Sequence, residues 1–447
     1  MKKKFIKYIC QSCGASFSSW MGKCSSCDEW NTITEQLDTA SIQSPNGRKL
    51  QAISAEDIEL NTDTFARLQS GMTEVDTVLG GGFVPGGVVL IAGQPGIGKS
   101  TLLLQIAYNV SAKHKVLYVS GEESTTQIGL RAERLGARRP NLMIASSGSA
   151  NDIAQTILSK DYDFVIVDSI QTVNVDEVSS MAGSTSQITN STQVLMNAAK
   201  TTNTALLIVG HVTKEGSIAG PKVLEHVVDV VLQLEGDRYG GFKMLRTVKN
   251  RFGSTNESAI FEMLEQGLVP VDNPSAALLE ERRVSDGSVV LATVEGARPL
   301  LVEVQALVNT SNYGYPKRTA SGIDLNRVNL LIAMLEKRTK LNLSDKDIYI
   351  NIVGGIKANE PAADLAVCMA IASASKGMQL KEDLVVFGEL GLSGEVRRVN
   401  FMDKRLAEAK KLGFKGAIMP KQKSDSKDES VYAVTDIKMA LNQFLSK

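Results

Sequence analysis

No run of about 18 consecutive uncharged apolar residues occurs in this 447-residue chain, so no membrane-spanning helix is expected. The opening Met1-Lys2-Lys3-Lys4 leads into no apolar signal core, and a cytoplasmic protein is the expectation. Net charge is missing too, because 49 basic side chains balance 49 acidic ones. No chain-wide field draws in a polyanion, and contact with nucleic acid has to come from local patches. Internal repeats and low-complexity segments are absent, and cysteine and histidine are scarce, at five and three residues. What is present is 43% hydrophobic content, enough for globular packing throughout, in a length that suggests about three domains.

Four of the five cysteines fall in Cys10-Gln11-Ser12-Cys13 and Cys24-Ser25-Ser26-Cys27. Each CxxC turn brings two thiolates to one side of a knuckle, and the short intervening hairpin folds the second pair onto the same ion. Cys10, Cys13, Cys24 and Cys27 are therefore expected to close a tetrahedral, structural zinc site. Disulfides are disfavoured in a cytoplasmic chain, and a redox CxxC would need a thioredoxin-like context. Trp20 and Trp30 lie in this module and are expected to pack over the knuckles, stacking on a base being the other use of an exposed indole. Cys368, within Leu365–Ile371, reads as a small apolar residue of a core helix.

A zinc ribbon is expected over 1–35 and a polar linker over 36–64. Over 65–272, apolar strands alternate with helical segments, as in a parallel sheet covered on both faces. The later strand-like runs, 228–234, 242–248 and 259–264, are too closely spaced for intervening helices. A parallel core extended by antiparallel strands is the RecA-type arrangement. Polar stretches over 176–188 and 213–225 follow carboxyl strand ends, where ligands bind in open α/β sheets, and are read as DNA-contacting or plain surface loops. Over 273–447 the pattern changes to an α+β domain.

The chemistry centres on Gly93-Gln94-Pro95-Gly96-Ile97-Gly98-Lys99-Ser100-Thr101, a glycine loop between a buried strand and a helix. Gly93, Gly96 and Gly98 let backbone N–H groups turn inward onto phosphate oxygens, and the helix N-terminus adds its partial positive charge. Lys99 would reach the β- and γ-phosphates of ATP, and Ser100 would sit on Mg2+. Asp163–Asp168 is an apolar strand ending in a carboxylate, the Walker B pattern, and Asp168 would hold the magnesium through water. Hydrolysis also needs a carboxylate to orient the attacking water. Glu122 is assigned that role, with Glu123 second, because both follow the strand Val116–Ser120, taken to neighbour the P-loop strand. His211, at the end of another strand, is read as a γ-phosphate sensor or as structural.

Lys249-Asn250-Arg251-Phe252-Gly253, together with the zinc ribbon and the P-loop, resembles the bacterial RadA (Sms) family of DNA repair proteins along the whole chain. The resemblance implies a nucleoid-associated, ATP-driven motor related to hexameric replicative helicases. Such a motor would act on single-stranded and branched DNA, extending heteroduplex by branch migration beside the RecA recombinase. Lys249 and Arg251, two residues apart on an extended chain, face one object. That object is a neighbouring subunit's γ-phosphate, approached by an arginine finger, or a DNA phosphate.

The C-terminal region resembles the proteolytic domain of Lon through Gly354–Asp364 and Gly388–Val396, but Ala362 stands where Lon has its serine nucleophile. The partner lysine aligns near Asp403, with Lys404 one residue off, a rotation of about 100° on a helix. No protease is expected; the alternative to a motor is an ATP-switched scaffold that tethers recombination partners.

Overall fold

The structure, a computed structural model, describes residues 6–37, 54, 66–211, 223–236, 242–311, 315–358, 360–421 and 430–445. The expected linker lies outside the described residues, apart from Gln36 and Leu37, which continue a strand, and Ser54.

Strands β1 (Ile6–Cys10), β2 (Ser16–Phe17) and β3 (Ile33–Leu37) form an antiparallel sheet ordered β2-β1-β3. Its interior is small: Cys10, Cys24 and Ile33 are buried, with Tyr8, Phe17 and Met21 packed against them. The tryptophans do not cover the knuckles. Trp20 and Trp30 are 61% and 69% exposed beside Gly22, because so small a core cannot bury two indoles.

The nucleotide-binding domain begins with α1 (Thr73–Leu79), β4 (Val88–Gly93), α2 (Lys99–Val110), β5 (Val116–Ser120) and α3 (Thr125–Arg134). It continues through β6 (Leu142–Ser146), α4 (Ala150–Leu158), β7 (Phe164–Asp168), α5 (Thr185–Thr202), β8 (Ala205–His211) and α6 (Val223–Val227). It closes with β9 (Val230–Glu235), β10 (Phe242–Asn250), β11 (Ser258–Leu264) and β12 (Gly267–Pro270). Nine strands join in the order β12-β11-β10-β9-β4-β8-β7-β5-β6, parallel from β9 to β6 and antiparallel from β9 outward to β12. Strand alternation divides the core: Val89 and Ile91 pack toward α2, whereas Val88 and Leu90 join the cluster under α4 and α5.

Two expectations change here. The strand β5 does not neighbour β4, since β8 and β7 stand between them and β4 pairs with β8 and β9. Parallel strands buried on both faces all read as apolar runs, so their spatial order is not written in any one of them. The polar stretch 176–188 is also shorter as a loop, because Ser184 caps α5 by accepting from the Gln187 N–H, and Ile188 is buried in the helix. Of the second stretch, 213–222 lies outside the described residues and the remainder enters α6.

The C-terminal domain contains α7 (Pro274–Leu279), β13 (Ser288–Glu295), β14 (Arg298–Thr310), β15 (Arg318–Ser321), α8 (Leu325–Thr339) and β16 (Lys346–Ile352). Next come α9 (Asp364–Lys376), β17 (Leu384–Val386), β18 (Glu389–Leu390), β19 (Val396–Arg397), α10 (Met402–Lys411), β20 (Gly416–Pro420), β21 (Val431–Val434) and α11 (Ile437–Phe444). A mixed seven-stranded sheet runs β15-β16-β14-β13-β17-β20-β21, and β18 pairs with β19. Cys368 is fully buried in α9. The β13–β14 turn seats this domain on the ATPase sheet. Arg246 of β10 pairs with Glu235 and, at 2.9 Å, with Glu295, while Arg298 reaches Glu74 at 3.0 Å.

Ala362, 1% exposed, sits in a short 3-10 turn before α9. Beside that turn, the fully buried Arg405 donates to both Glu360 oxygens at 2.7 and 2.5 Å and to the Ala292 carbonyl at 2.6 Å. Glu360 also accepts from Thr293 Oγ1 and the Val294 N–H. Lys404 instead reaches the Ala297 carbonyl at 3.3 Å. Arg405→Met removes the charge partner of Glu360 and is expected to destabilise this domain by about 3 kcal/mol, read by chemical denaturation.

Candidate nucleotide and zinc sites

The P-loop is shaped by close contacts. Gly98, at φ 112°, caps α2 without a side-chain partner, which leaves the first-turn N–H groups to face a ligand. A Cβ on Gly98 would lie 2.4 Å from Met263 Cε. Ile97 is buried and anchors the loop, whereas Gln94, Pro95 and Gly96 are exposed, and Ser100 and Thr101 are half-buried in the first turn of α2. The Lys99 ammonium donates to the carbonyls of Gly93 at 2.8 Å and Gln94 at 3.0 Å, and lies 3.1 Å from His211 Nδ1. Burial lowers Lys99 to about 8, against the pull of Asp168 and Glu122.

The parallel register carries the remaining groups to the same edge. Gly93 of β4 stands opposite His211 of β8, and Ser120 of β5 opposite Asp168 of β7. Beyond these strand ends, Glu122 Oε1 lies 3.7 Å from His211 Nε2 and accepts from Ser169 Oγ at 2.6 Å. Glu123 turns away into an ion pair with Arg131 at 2.5 Å. His211 is lowered by burial first and by Lys99 second. Asp168 accepts from the Tyr118 hydroxyl at 2.6 Å. Gly121 permits a close approach more than a turn, since a Cβ there would meet Thr172 Oγ1 at 2.2 Å.

Lys99, Glu122, Asp168 and His211 thus gather at one edge, and Lys249 and Arg251 do not join them. Asn250 pairs with Val230, at the start of β9, and Val89 pairs with that same residue at the start of β4. The KNRFG segment therefore lies at the opposite sheet edge, on the order of 15 Å from its own P-loop. Lys249 donates to the Glu225, His226 and Val228 carbonyls at the end of α6. Arg251 pairs at 3.1 Å with Asp229, a buried carboxylate that also accepts from the Val88 N–H. Tyr118, Ser169 and Asp229 were not singled out from the sequence. A tyrosine inside the apolar run Val116–Val119 is the signal that could have marked the first.

The oxygen donors Asp168 and Ser100 suit a hard cation such as Mg2+. In the ribbon, Cys10 and Cys27 Sγ are 3.6 Å apart, as are Cys13 and Cys24, and all four sulfurs lie within 4.8 Å of one another. A tetrahedron with Zn–S bonds of about 2.3 Å has edges of about 3.8 Å, so the thiols fit zinc. The knuckles are alike: the Gly14 N–H donates to the Cys10 carbonyl and the Asp28 N–H to the Cys24 carbonyl, both at 2.9 Å.

Fold and sites define a zinc-ribbon protein with a RecA-like P-loop ATPase domain and a Lon-like C-terminal domain. Proteins named DNA repair protein RadA are 47% identical in Listeria monocytogenes and 46% in Aquifex aeolicus, each match covering 99% of both chains, and 47% in Bacillus subtilis over 100% of both. The chain belongs to the RadA family of DNA repair proteins. Family models agree by region: a rubredoxin metal binding domain matches residues 8–35, an AAA domain 54–217, and subunit ChlI of Mg-chelatase 324–423. No helix among the described residues is long and apolar enough to cross a membrane.

Stripping zinc with a chelator, or Cys24→Ser, is expected to unfold the ribbon alone. Trp20 and Trp30 are the only tryptophans, so their fluorescence anisotropy should fall while far-UV circular dichroism changes little. For the nucleotide site, bound phosphates favour charged Lys99, which in the free site titrates at about 8. Below that pH, affinity for an ATP analogue should not be limited by this lysine. Above it, binding requires proton uptake, and affinity should fall up to about ten-fold per pH unit. Lys99→Arg, charged throughout, should flatten the profile.

Proposed function

We propose that this chain is a DNA-dependent ATPase and ring-forming, hexameric helicase-like motor that promotes branch migration of recombination intermediates with the RecA recombinase. The observation that carries the reading is the division of charged groups between the two edges of one sheet. Lys99, Ser100, Asp168, Glu122 and His211 lie at the P-loop edge, and Lys249 and Arg251 at the far edge, beyond reach of their own site. A cation so placed contributes to phosphoryl transfer only at a neighbour's site, which is what a ring supplies.

Within the site, the P-loop amides and Lys99 bind and orient the β- and γ-phosphates. Mg2+, when bound, neutralises charge between those phosphates, and Asp168 with Ser100 would hold it. Glu122 orients the attacking water and accepts its proton. His211, touching both Lys99 and Glu122, senses the γ-phosphate and passes its loss to the segment that follows. Arg251 of the adjacent subunit, with Lys249, offsets charge developing on the transferred phosphoryl group. DNA would be held by local basic patches repeated around the ring. Of the C-terminal basic residues, Arg327 is tied to the buried Asp364 and is the poorest candidate for that contact.

Lys99→Ala is expected to abolish hydrolysis. Glu122→Gln should retain nucleotide binding while lowering kcat about 100-fold or more, with Glu123→Gln far milder. Mixing inactive Lys99→Ala with impaired Arg251→Ala subunits should restore part of the activity, because some interfaces then combine two intact halves; no recovery counts against the finger. Single-stranded DNA should stimulate steady-state turnover, less so as salt rises. A basal rate indifferent to DNA would favour the ATP-switched scaffold.

A further inference from the structure

We infer that Tyr118 is a positioning residue of the nucleotide site: its hydroxyl holds the Asp168 carboxylate in the orientation that the water shell of a divalent cation requires. This rests on the ATPase reading above and refines the same site.

Tyr118 is 1% exposed in the middle of β5, between Leu117 and Val119, where the strand pattern asks only for an apolar side chain. A phenol in such a place must find a partner, since an unpaired buried hydroxyl is costly. The parallel β5–β7 register determines which partner it finds. Tyr118 stands opposite Ile166, two residues before Asp168 and on the same face, so its ring runs forward along the sheet to the carboxylate at the strand end. The hydroxyl meets Oδ2 at 2.6 Å, a charge-assisted hydrogen bond. The χ2 torsion of an aspartate is broad and nearly two-fold, so a carboxylate with no directional donor samples many orientations. With Oδ2 held by Tyr118, rotation of the carboxylate is restrained, and Tyr118 itself packs with Ile166 and the apolar residues of α2.

A second contact makes the arrangement reciprocal. Ser169, next to Asp168 on the β7 side, donates to Glu122 Oε1 at 2.6 Å, while Tyr118 of β5 donates to Asp168. Each carboxylate is held by a hydroxyl from the other's strand. The Tyr118 hydroxyl thus acts on the Asp168 carboxylate, and the Ser169 hydroxyl on that of Glu122.

The test is a Mg2+ titration of full-length, zinc-loaded protein with a fluorescent, non-hydrolysable ATP analogue, read as binding and not as turnover. Tyr118→Phe keeps the ring and removes only the oxygen. The Mg2+ concentration for half-maximal binding should rise about ten-fold, as for other partners that orient a metal-side ligand, while binding in EDTA is unchanged. The shift should vanish in an Asp168→Asn background. Tyr118→Leu, expected to give the same shift, serves if the phenylalanine variant misfolds. A parent-like midpoint in the tyrosine variants, or a shift that persists beside Asp168→Asn, overturns the positioning role and leaves the ATPase reading intact. If the parent protein binds the analogue with no Mg2+ dependence, the site reading fails and this inference fails with it.

Discussion

Parallel strand register is the constraint from which the chemistry of this protein follows. In a parallel sheet every strand ends on the same edge, so residues far apart in the chain are delivered to one line if they sit just beyond their strands. Here Gly93, His211, Asp168 and Ser120 occupy equivalent strand ends, and Lys99 and Glu122 lie a few residues further on. The same register carries Tyr118 to Asp168 and Ser169 to Glu122. A slip of one residue in β5 or β7 would turn these side chains to the other face and dissolve the cluster.

The antiparallel extension has the opposite consequence. Strand β10 returns toward the amino end of β4 and leaves Lys249 and Arg251 at the far edge, braced by the end of α6 and by Asp229. One sheet therefore presents two chemically different edges, one with the P-loop, Lys99, Glu122, Asp168 and His211, the other with Lys249 and Arg251. The C-terminal domain meets this extension through Arg246, shared between Glu235 of the ATPase sheet and Glu295 of β13. Within that domain the Arg405–Glu360 pair lies beside the turn that carries Ala362, with the arginine fully buried. Removing one member of a buried pair costs more than the pair itself contributes, so such a pair resists piecemeal replacement.

Much of this was legible from local spacing. Two CxxC pairs bring four thiols to one knuckle assembly whatever the rest of the chain does, and the P-loop needs only a strand, a glycine turn and a helix in succession. The apolar runs that became β4, β7 and β8 were legible for a similar reason, being buried on both faces. The packing of Trp20 and Trp30 was not, because burial of an indole depends on how much core surrounds it, and the ribbon has little. The adjacency of β5 and β4 was misread because strand order is a property of the crossovers and not of the strands.

By itself, then, the sequence determined the clustered CxxC cysteines, the P-loop, a carboxylate at the end of an apolar strand and the presence of a Lon-like region without its serine, all of them set by residues close together in the chain. Only the tertiary structure tied Glu123 to Arg131, placed His211 between Lys99 and Glu122, put the KNRFG cations on the remote edge and joined Tyr118 to Asp168. Each of those depends on which strands lie side by side and in what register, and that choice is made by packing across the whole sheet.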